Sequence, residues 1–378
     1  MSNMFEFIKI PRILLSIMAI YPTTEFSLVY RIRTIISMGT LFALVLCLSY
    51  EVALQVGNFV KLSESLYLHI TIFNSFFKFV IMTYKREEFF KCIDMLETPS
   101  FVAYNDQYNS VLRQLKKFCV GIQATCFIQL NIALFCLAVY PIWESNKPLP
   151  VEFKYFNSGM FYYPFYMFEV IGEYICGYTN LSLDLLSVGF LMISATQLRK
   201  LNMKLIDMKK NVKSLPDYSE ENSEKFYLDY LKECCIHYSD IEEFSKCIQD
   251  CFGIISSIQM VTGCISICNT LMLLTSLSPI SPKAIALISY TTCMLAELGL
   301  YCWFGSFVSH ESLEILTSCY FSSWYEYSPR VRCSLFILME RTKRPIEVKG
   351  FNLIMLSLET FISSALLQLA KLLALHFT

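Results

Sequence analysis

Residues 301–377 read YCWFGSFVSHESLEILTSCYFSSWYEYSPRVRCSLFILMERTKRPIEVKGFNLIMLSLETFISSALLQLAKLLALHF. An apolar run leads into a short cationic stretch that holds Arg341, Lys343 and Arg344. Pro345 stops a helix there, and Gly350 lets the chain turn. From Phe351 to Phe377 the pattern predicts a last helix, which at 1.5 Å per residue is roughly 40 Å long and spans a bilayer. It is interrupted by Ser357, Glu359, Thr360, Ser363, Ser364, Gln368 and Lys371. A helix facing only lipid has no use for such groups, whereas a helix lining water does.

Working outward, the whole chain has the composition of a membrane protein. Of its 378 residues 55% are hydrophobic and 17% charged, against about 25% charged in soluble domains. A net charge of −1 with no basic stripe argues against a nucleic-acid partner. The first residues, MSNMFEFIKIPRILL, read as part of the mature chain, because Pro11, Pro22 and Glu25 interrupt the apolar run and no small-residue cleavage site follows. Most of the sixteen cysteines lie inside apolar runs, where a free thiol behaves as a small hydrophobe. No Cys spacing suggests a metal site.

Seven apolar segments stand out, at about 34–53, 65–84, 118–142, 162–196, 252–277, 284–308 and 351–377. Lysines and arginines cluster before segment one and in the connections after segments two, four and six. The opposite side holds only Lys61, Lys147, Lys154 and Lys283. The positive-inside rule then puts the N-terminus in the cytoplasm and, after seven crossings, the C-terminus outside. A G-protein-coupled receptor has the reverse orientation, and a transporter would be expected to show repeats, which are not visible here.

The expected architecture is all-α: a seven-transmembrane-helix membrane protein with a cytoplasmic helical block. Residues 1–198 hold helices one to four, and 199–250 are cytoplasmic extensions of helices four and five, broken at SLPDYSEENSE. Helices five and six occupy 251–310, an anchor segment 311–349, and the pore-lining seventh helix 350–378. Leu198, Leu201, Leu205 and Met208 repeat at helical spacing and need an apolar partner. Leu316, Tyr320, Trp324, Leu335 and Leu338 are the expected one.

The order Tyr301-Cys-Trp-Phe-Gly, Trp324-Tyr325, Arg341 with Arg344-Pro345, and Leu358-Glu-Thr-Phe361 resembles the C-terminal signature of insect odorant receptors. Asp184 and Gln197-Leu198 are similar to the same family. A gustatory-type receptor would share the topology, but the Trp324-Tyr325 and Leu358–Phe361 elements favour the odorant branch. The resemblance implies an odorant-gated, non-selective cation channel in the plasma membrane of olfactory neurons. It further implies a tetramer with a shared coreceptor subunit, an anchor built around Trp324, Tyr325, Arg341, Arg344 and Pro345, and an odorant pocket among helices two, three, four and six. The coreceptor itself has a much longer loop between helices four and five. A helix-four histidine common in the family is replaced by the region of Ser194, and Lys371 is unusual in the last helix.

A volatile odorant is small and apolar, so burial must supply most of its affinity. The pocket candidates are Tyr67, Ile70 and Thr71 on helix two, Phe135 and Val139 on helix three, Tyr174 and Tyr178 on helix four, and Tyr290 and Met294 on helix six. Each also suits ordinary helix packing. Gln368, Leu372 and Leu375 share one face of the last helix, as a pore-lining stripe with a hydrophobic gate or as a packing seam. Lys371 either faces the pore or snorkels to the headgroups. Glu359 either attracts cations or bonds a neighbouring helix. The four histidines are scattered, and no nucleophile, phosphate loop or paired acid and base is present. The expectation is therefore no enzyme, no catalytic residue and no cofactor.

Overall fold

The structure, a computed structural model, describes residues 3–21, 27–55, 59–102, 109–143, 162–215, 219–278, 281–350 and 354–355. A buried 3-10 turn, Asn3–Ile8, leads into α1 (Lys9–Ile17). Then follow α2 (Leu28–Leu54), α3 (Phe59–Tyr84), α4 (Arg86–Met95), α5 (Pro99–Val102) and α6 (Asn109–Trp143). The second half has α7 (Tyr162–Ile206), α8 (Met208–Lys213), α9 (Ser223–Thr275), α10 (Pro282–Phe321) and α11 (Pro329–Thr342). Six of these helices, α2, α3, α6, α7, α9 and α10, are long and apolar enough to cross a membrane.

The bundle is built around α7. From Thr179 to Leu198 every residue of this helix is buried, because leucine, valine, isoleucine and small residues cover most of its circumference and the polar Asn180, Asp184 and Gln197 find partners on neighbouring helices. A helix with so little polar surface has no face to give to solvent and takes the centre of the packing. The helices α1, α3, α6, α9 and α10 surround it. The N-terminal turn seats Met4, Phe7 and Ile8 in the core. Gly189 makes that seat possible, since a Cβ there would lie 2.7 Å from Ile8 Cγ2 and 3.0 Å from the Phe7 carbonyl oxygen.

Helices α7, α9 and α10 each run well past the predicted apolar segments. Leu198, Leu201, Leu205 and Met208 are fully buried, against α9 and the end of α10. On the partner side the structure corrects the expected stripe. Ile315, Ser318 and Cys319 face inward, whereas Tyr320 is 59% exposed, because Tyr320 lies one position off the 3–4 repeat that starts at Ile315. Leu335 and Leu338 do pack inward from α11.

α11 ends at Thr342, three residues before Pro345, as the restriction on residues preceding proline requires. Ile346 N–H donates to Ser312 Oγ at 3.0 Å and ties the following chain to α10. Two short strands, β1 (Lys349–Gly350) and β2 (Ile354–Met355), then pair antiparallel, Lys349 opposite Met355. The helix expected from Phe351 therefore does not include Ile354 and Met355. β-branched Ile354 fits a strand next to the conformationally free Gly350. Glu359, Gln368, Lys371, Leu372 and Leu375 lie outside the described residues.

Candidate functional site

Four helices enclose one small apolar cavity. α3 contributes Leu68, Thr71 and Ile72; α6 contributes Leu130, Ala133, Leu134 and Leu137. α7 contributes Glu173, Cys176, Gly177 and Asn180, and α10 contributes Tyr290, Cys293, Met294 and Glu297. Each set follows helical spacing of three and four, so each helix turns one continuous stripe toward the same point. The enclosed open space is about 50 Å³. That admits water but is well below the few hundred Å³ of an occupied ligand site. A ligand must therefore displace side chains, and Met294, with its unbranched thioether, yields most readily.

One end of the cavity is polar. Thr71 Oγ1 and the Tyr290 hydroxyl share a hydrogen bond of 2.5 Å, and the Tyr67 ring stands edge-on to Tyr290 at 5.2 Å. Asn180 Nδ2 donates to Glu297 Oε2 at 2.9 Å, and Gln259 Nε2 donates to the same oxygen at 2.8 Å. Asn74 Nδ2 donates to Gln259 Oε1 at 2.6 Å. One turn further along α7, Asp184 accepts from the Tyr301 hydroxyl at 2.8 Å and pairs with Lys78. The floor of the cavity is thus a buried hydrogen-bonded network that joins α3, α7, α9 and α10. Its donors are used, while Asn74 Oδ1 and Asp184 Oδ2 accept no hydrogen bond among the described residues, so the network favours one arrangement of these helices without being fully satisfied.

Of the pocket candidates, Thr71, Tyr290 and Met294 line the cavity, and Tyr67 backs it through Tyr290. Ile70, one residue off the stripe, does not line it. Phe135 and Val139 also fall outside, and Phe135 is 60% exposed. Tyr174 and Tyr178 pack instead on the cluster of Cys126, Leu130, Leu134, Leu181 and Leu185, with the Tyr178 hydroxyl donating to Asn131 Oδ1 at 2.7 Å. On α6 and α7 the aromatic candidates stand next in sequence to the lining residues. A step of one residue rotates the face by about 100°. Leu134 and Gly177 line the cavity where Phe135 and Tyr178 were expected. The signal that finds them is the shared 3–4 spacing of small and aliphatic residues, not aromatic content.

The anchor candidates divide into two places. Arg341, Arg344 and Pro345 border one open cleft of about 920 Å³, together with Tyr238, Glu242 and Lys246 of α9. Arg341 pairs with Glu242 and lies over the Tyr238 ring at 6.0 Å. The Glu242 carboxylate holds the Arg341 guanidinium still further above its ordinary range. Trp324 and Tyr325 belong to a 3-10 turn, Trp324–Glu326. Trp324 packs on Phe336 at 5.6 Å, whereas Tyr325 is 66% exposed. Gln197, buried, meets His237 of α9 at 3.0 Å. Among the described residues no group of His, Cys, Asp and Glu could hold a metal ion.

The pattern of the family described as 7tm odorant receptor matches residues 58–368. Odorant receptor 46a, isoform B, of Drosophila melanogaster is 20% identical over 318 residues, which cover 82% of this chain and 81% of that one. The odorant receptor coreceptor of Anopheles gambiae is 23% identical over a shorter region, 31% of this chain and 24% of the coreceptor. Among solved structures, the insect olfactory receptor OR5 from Machilis hrabei, in complex with eugenol, superposes with a TM-score of 0.86. It is 14% identical and covers 99% of this chain and 98% of its own. At that identity the likeness speaks for the fold.

Proposed function

This chain belongs to the 7tm odorant receptor family of insects, and from that premise we propose that it is the ligand-tuning subunit of an odorant-gated, non-selective cation channel. The observation that supports this reading is the small apolar cavity ringed by four helices and floored by a polar network that ties three of them together with α9. A small apolar molecule entering it gains its affinity from burial against the leucines and Met294. Because the open space is smaller than a ligand, binding displaces lining side chains and through them presses the helices apart. Any arrangement in which they stand further apart then binds the ligand more tightly, and this differential affinity shifts the equilibrium toward it.

In this reading the cation-rich ends of the helices face the cytoplasm, the N-terminus lies inside, and the cavity sits in the outer half of the bilayer. The cleft at Arg341, Arg344 and Pro345 belongs to the cytoplasmic anchor through which four subunits meet, this chain together with a coreceptor. The residues from 356 onward supply the pore, with Gln368, Leu372 and Leu375 on its lining face. No catalytic step is involved. The plasma membrane of an olfactory sensory neuron is the site of action.

The test is to record currents from cells expressing this chain, alone and with the coreceptor, against an odorant panel while G-protein signalling is blocked. Fast currents that need both subunits are the expected result. Responses abolished by the G-protein block would overturn the channel reading.

A further inference from the structure

The cavity contains one group that an apolar odorant does not explain. Glu173 of α7 lines it and is only 6% exposed. Among the described residues no hydrogen-bond donor or cation pairs with this carboxyl. Glu297 differs, because Asn180 and Gln259 satisfy one of its oxygens. The buried cation Lys78 of α3 is already held by Asp184. The Thr71 and Tyr290 hydroxyls bond each other. Two carboxyls and no lysine or arginine therefore line a space whose remaining wall is largely leucine, isoleucine, alanine and methionine.

A lone buried carboxyl is costly to keep, since it must lose its charge or leave its oxygens unpaired. A partner that arrives from outside removes that cost. Resting on the odorant-receptor reading above, we propose that this cavity takes a small aliphatic amine, whose ammonium group pairs with Glu173 and whose hydrocarbon body lies against Leu130, Leu134, Leu137 and Met294. If the carboxyl is protonated before binding, the neutral amine takes that proton. The products are one ammonium and one carboxylate, so the charge of the site is conserved. If the carboxyl is ionised, the ammonium form enters directly. An alcohol of equal size donates one hydrogen bond but brings no charge. A ketone brings no donor at all. The order of preference is amine, then alcohol, then ketone.

The test uses the full chain in two measurements. In the first, currents are recorded with the coreceptor for butylamine, butanol and butanone. In the second, thermal stabilisation of the detergent-purified chain by the same three compounds is measured, which requires no channel opening. Butylamine is expected to be the most potent in both. Glu173→Gln is expected to raise its half-maximal concentration about tenfold or more while changing that of butanol far less. Glu173→Leu is expected to abolish the amine preference and to melt no lower than the parent chain, because it removes an unpaired buried carboxyl. A carboxyl with a purely structural role predicts the opposite, a lower melting temperature for Glu173→Leu.

Stabilisation by butylamine without current would uphold the amine site and count against the channel reading. Currents and stabilisation led by butanone, or unaffected by Glu173→Gln, would overturn the amine site and leave the odorant-receptor reading in place. Absence of stabilisation by butylamine at saturating concentration would overturn it as well.

Discussion

Lys78 of α3 and Asp184 of α7 form an ion pair at the centre of the bundle, the lysine side chain fully buried and the aspartate side chain 3% exposed. From α10 the Tyr301 hydroxyl donates to the same oxygen, Asp184 Oδ1, at 2.8 Å. Removing two charges from water costs several kcal/mol per ion, roughly recovered only when the pair is complete. The pair is thus better understood as fixing how three helices meet than as a source of net stability. It lies one helical turn below Asn180, the residue through which the network reaches the cavity.

Breaking one side of this pair should be far worse than removing both. Lys78→Met strands Asp184 and is expected to cost about 3–5 kcal/mol. Lys78→Met combined with Asp184→Leu is expected to recover most of that loss. Melting temperatures of the purified single and double variants decide the matter. A single variant as stable as the parent, or a double variant no better than the single, would remove the pair from any organising role.

Gly177 gives the cavity its width. A Cβ built there would lie 3.1 Å from Leu130 Cδ1 and 3.3 Å from Leu134 Cδ1, so alanine already presses on the opposite wall. Valine adds two further methyl groups to a space of about 50 Å³. Overpacking of this kind costs about 1–3 kcal/mol. Gly177→Val is therefore expected to raise the half-maximal ligand concentration at least about tenfold, with Gly177→Ala in between. Dose–response curves at matched surface expression measure it. Equal potency across the series would mean that ligand binds elsewhere.

The neighbours Leu134 and Phe135 separate the lining face of α6 from its outer face. Leu134 is 5% exposed and lines the cavity, whereas Phe135 is 60% exposed. Leu134→Ala should enlarge the cavity, shift tuning toward bulkier ligands and lower stability by about 2–5 kcal/mol. Phe135→Ala should change tuning hardly at all and stability by about 0.5 kcal/mol or less. Tuning measured over ligands of increasing size tests both, and a reversed order of effects would place the ligand on the other face.

The same pair shows how far the sequence could be read. The six long helices were legible because apolar runs of bilayer length have few other uses. The extension of α7 is legible from the stripe Leu198, Leu201, Leu205 and Met208. The family resemblance implies an odorant pocket among helices two, three, four and six, and a small cavity lies among the corresponding α3, α6, α7 and α10. The lining itself was only partly readable. Aromatic size points to Phe135, Tyr174 and Tyr178, whereas on α6 and α7 the cavity is lined by small and aliphatic residues such as Ala133, Leu134 and Gly177. The polar floor was hidden for another reason. Lys78, Asn180, Gln259 and Glu297 are far apart in the chain, and only packing makes them neighbours.

Lys371 tests the part of the mechanism that rests on sequence alone. A cation on the last helix that faces the conduction path repels permeant cations, and divalent ions more than monovalent ones, because the Coulomb energy scales with their charge. Lys371→Ala should then raise calcium permeability relative to sodium, read as a shift in reversal potential, while the odorant dose–response stays in place. On the proposed mechanism the two readouts are independent, because permeation then depends on the pore and potency on the cavity between α3, α6, α7 and α10. An unchanged reversal potential would place the Lys371 ammonium among the headgroups, where a long side chain can reach water without entering the path of the ions.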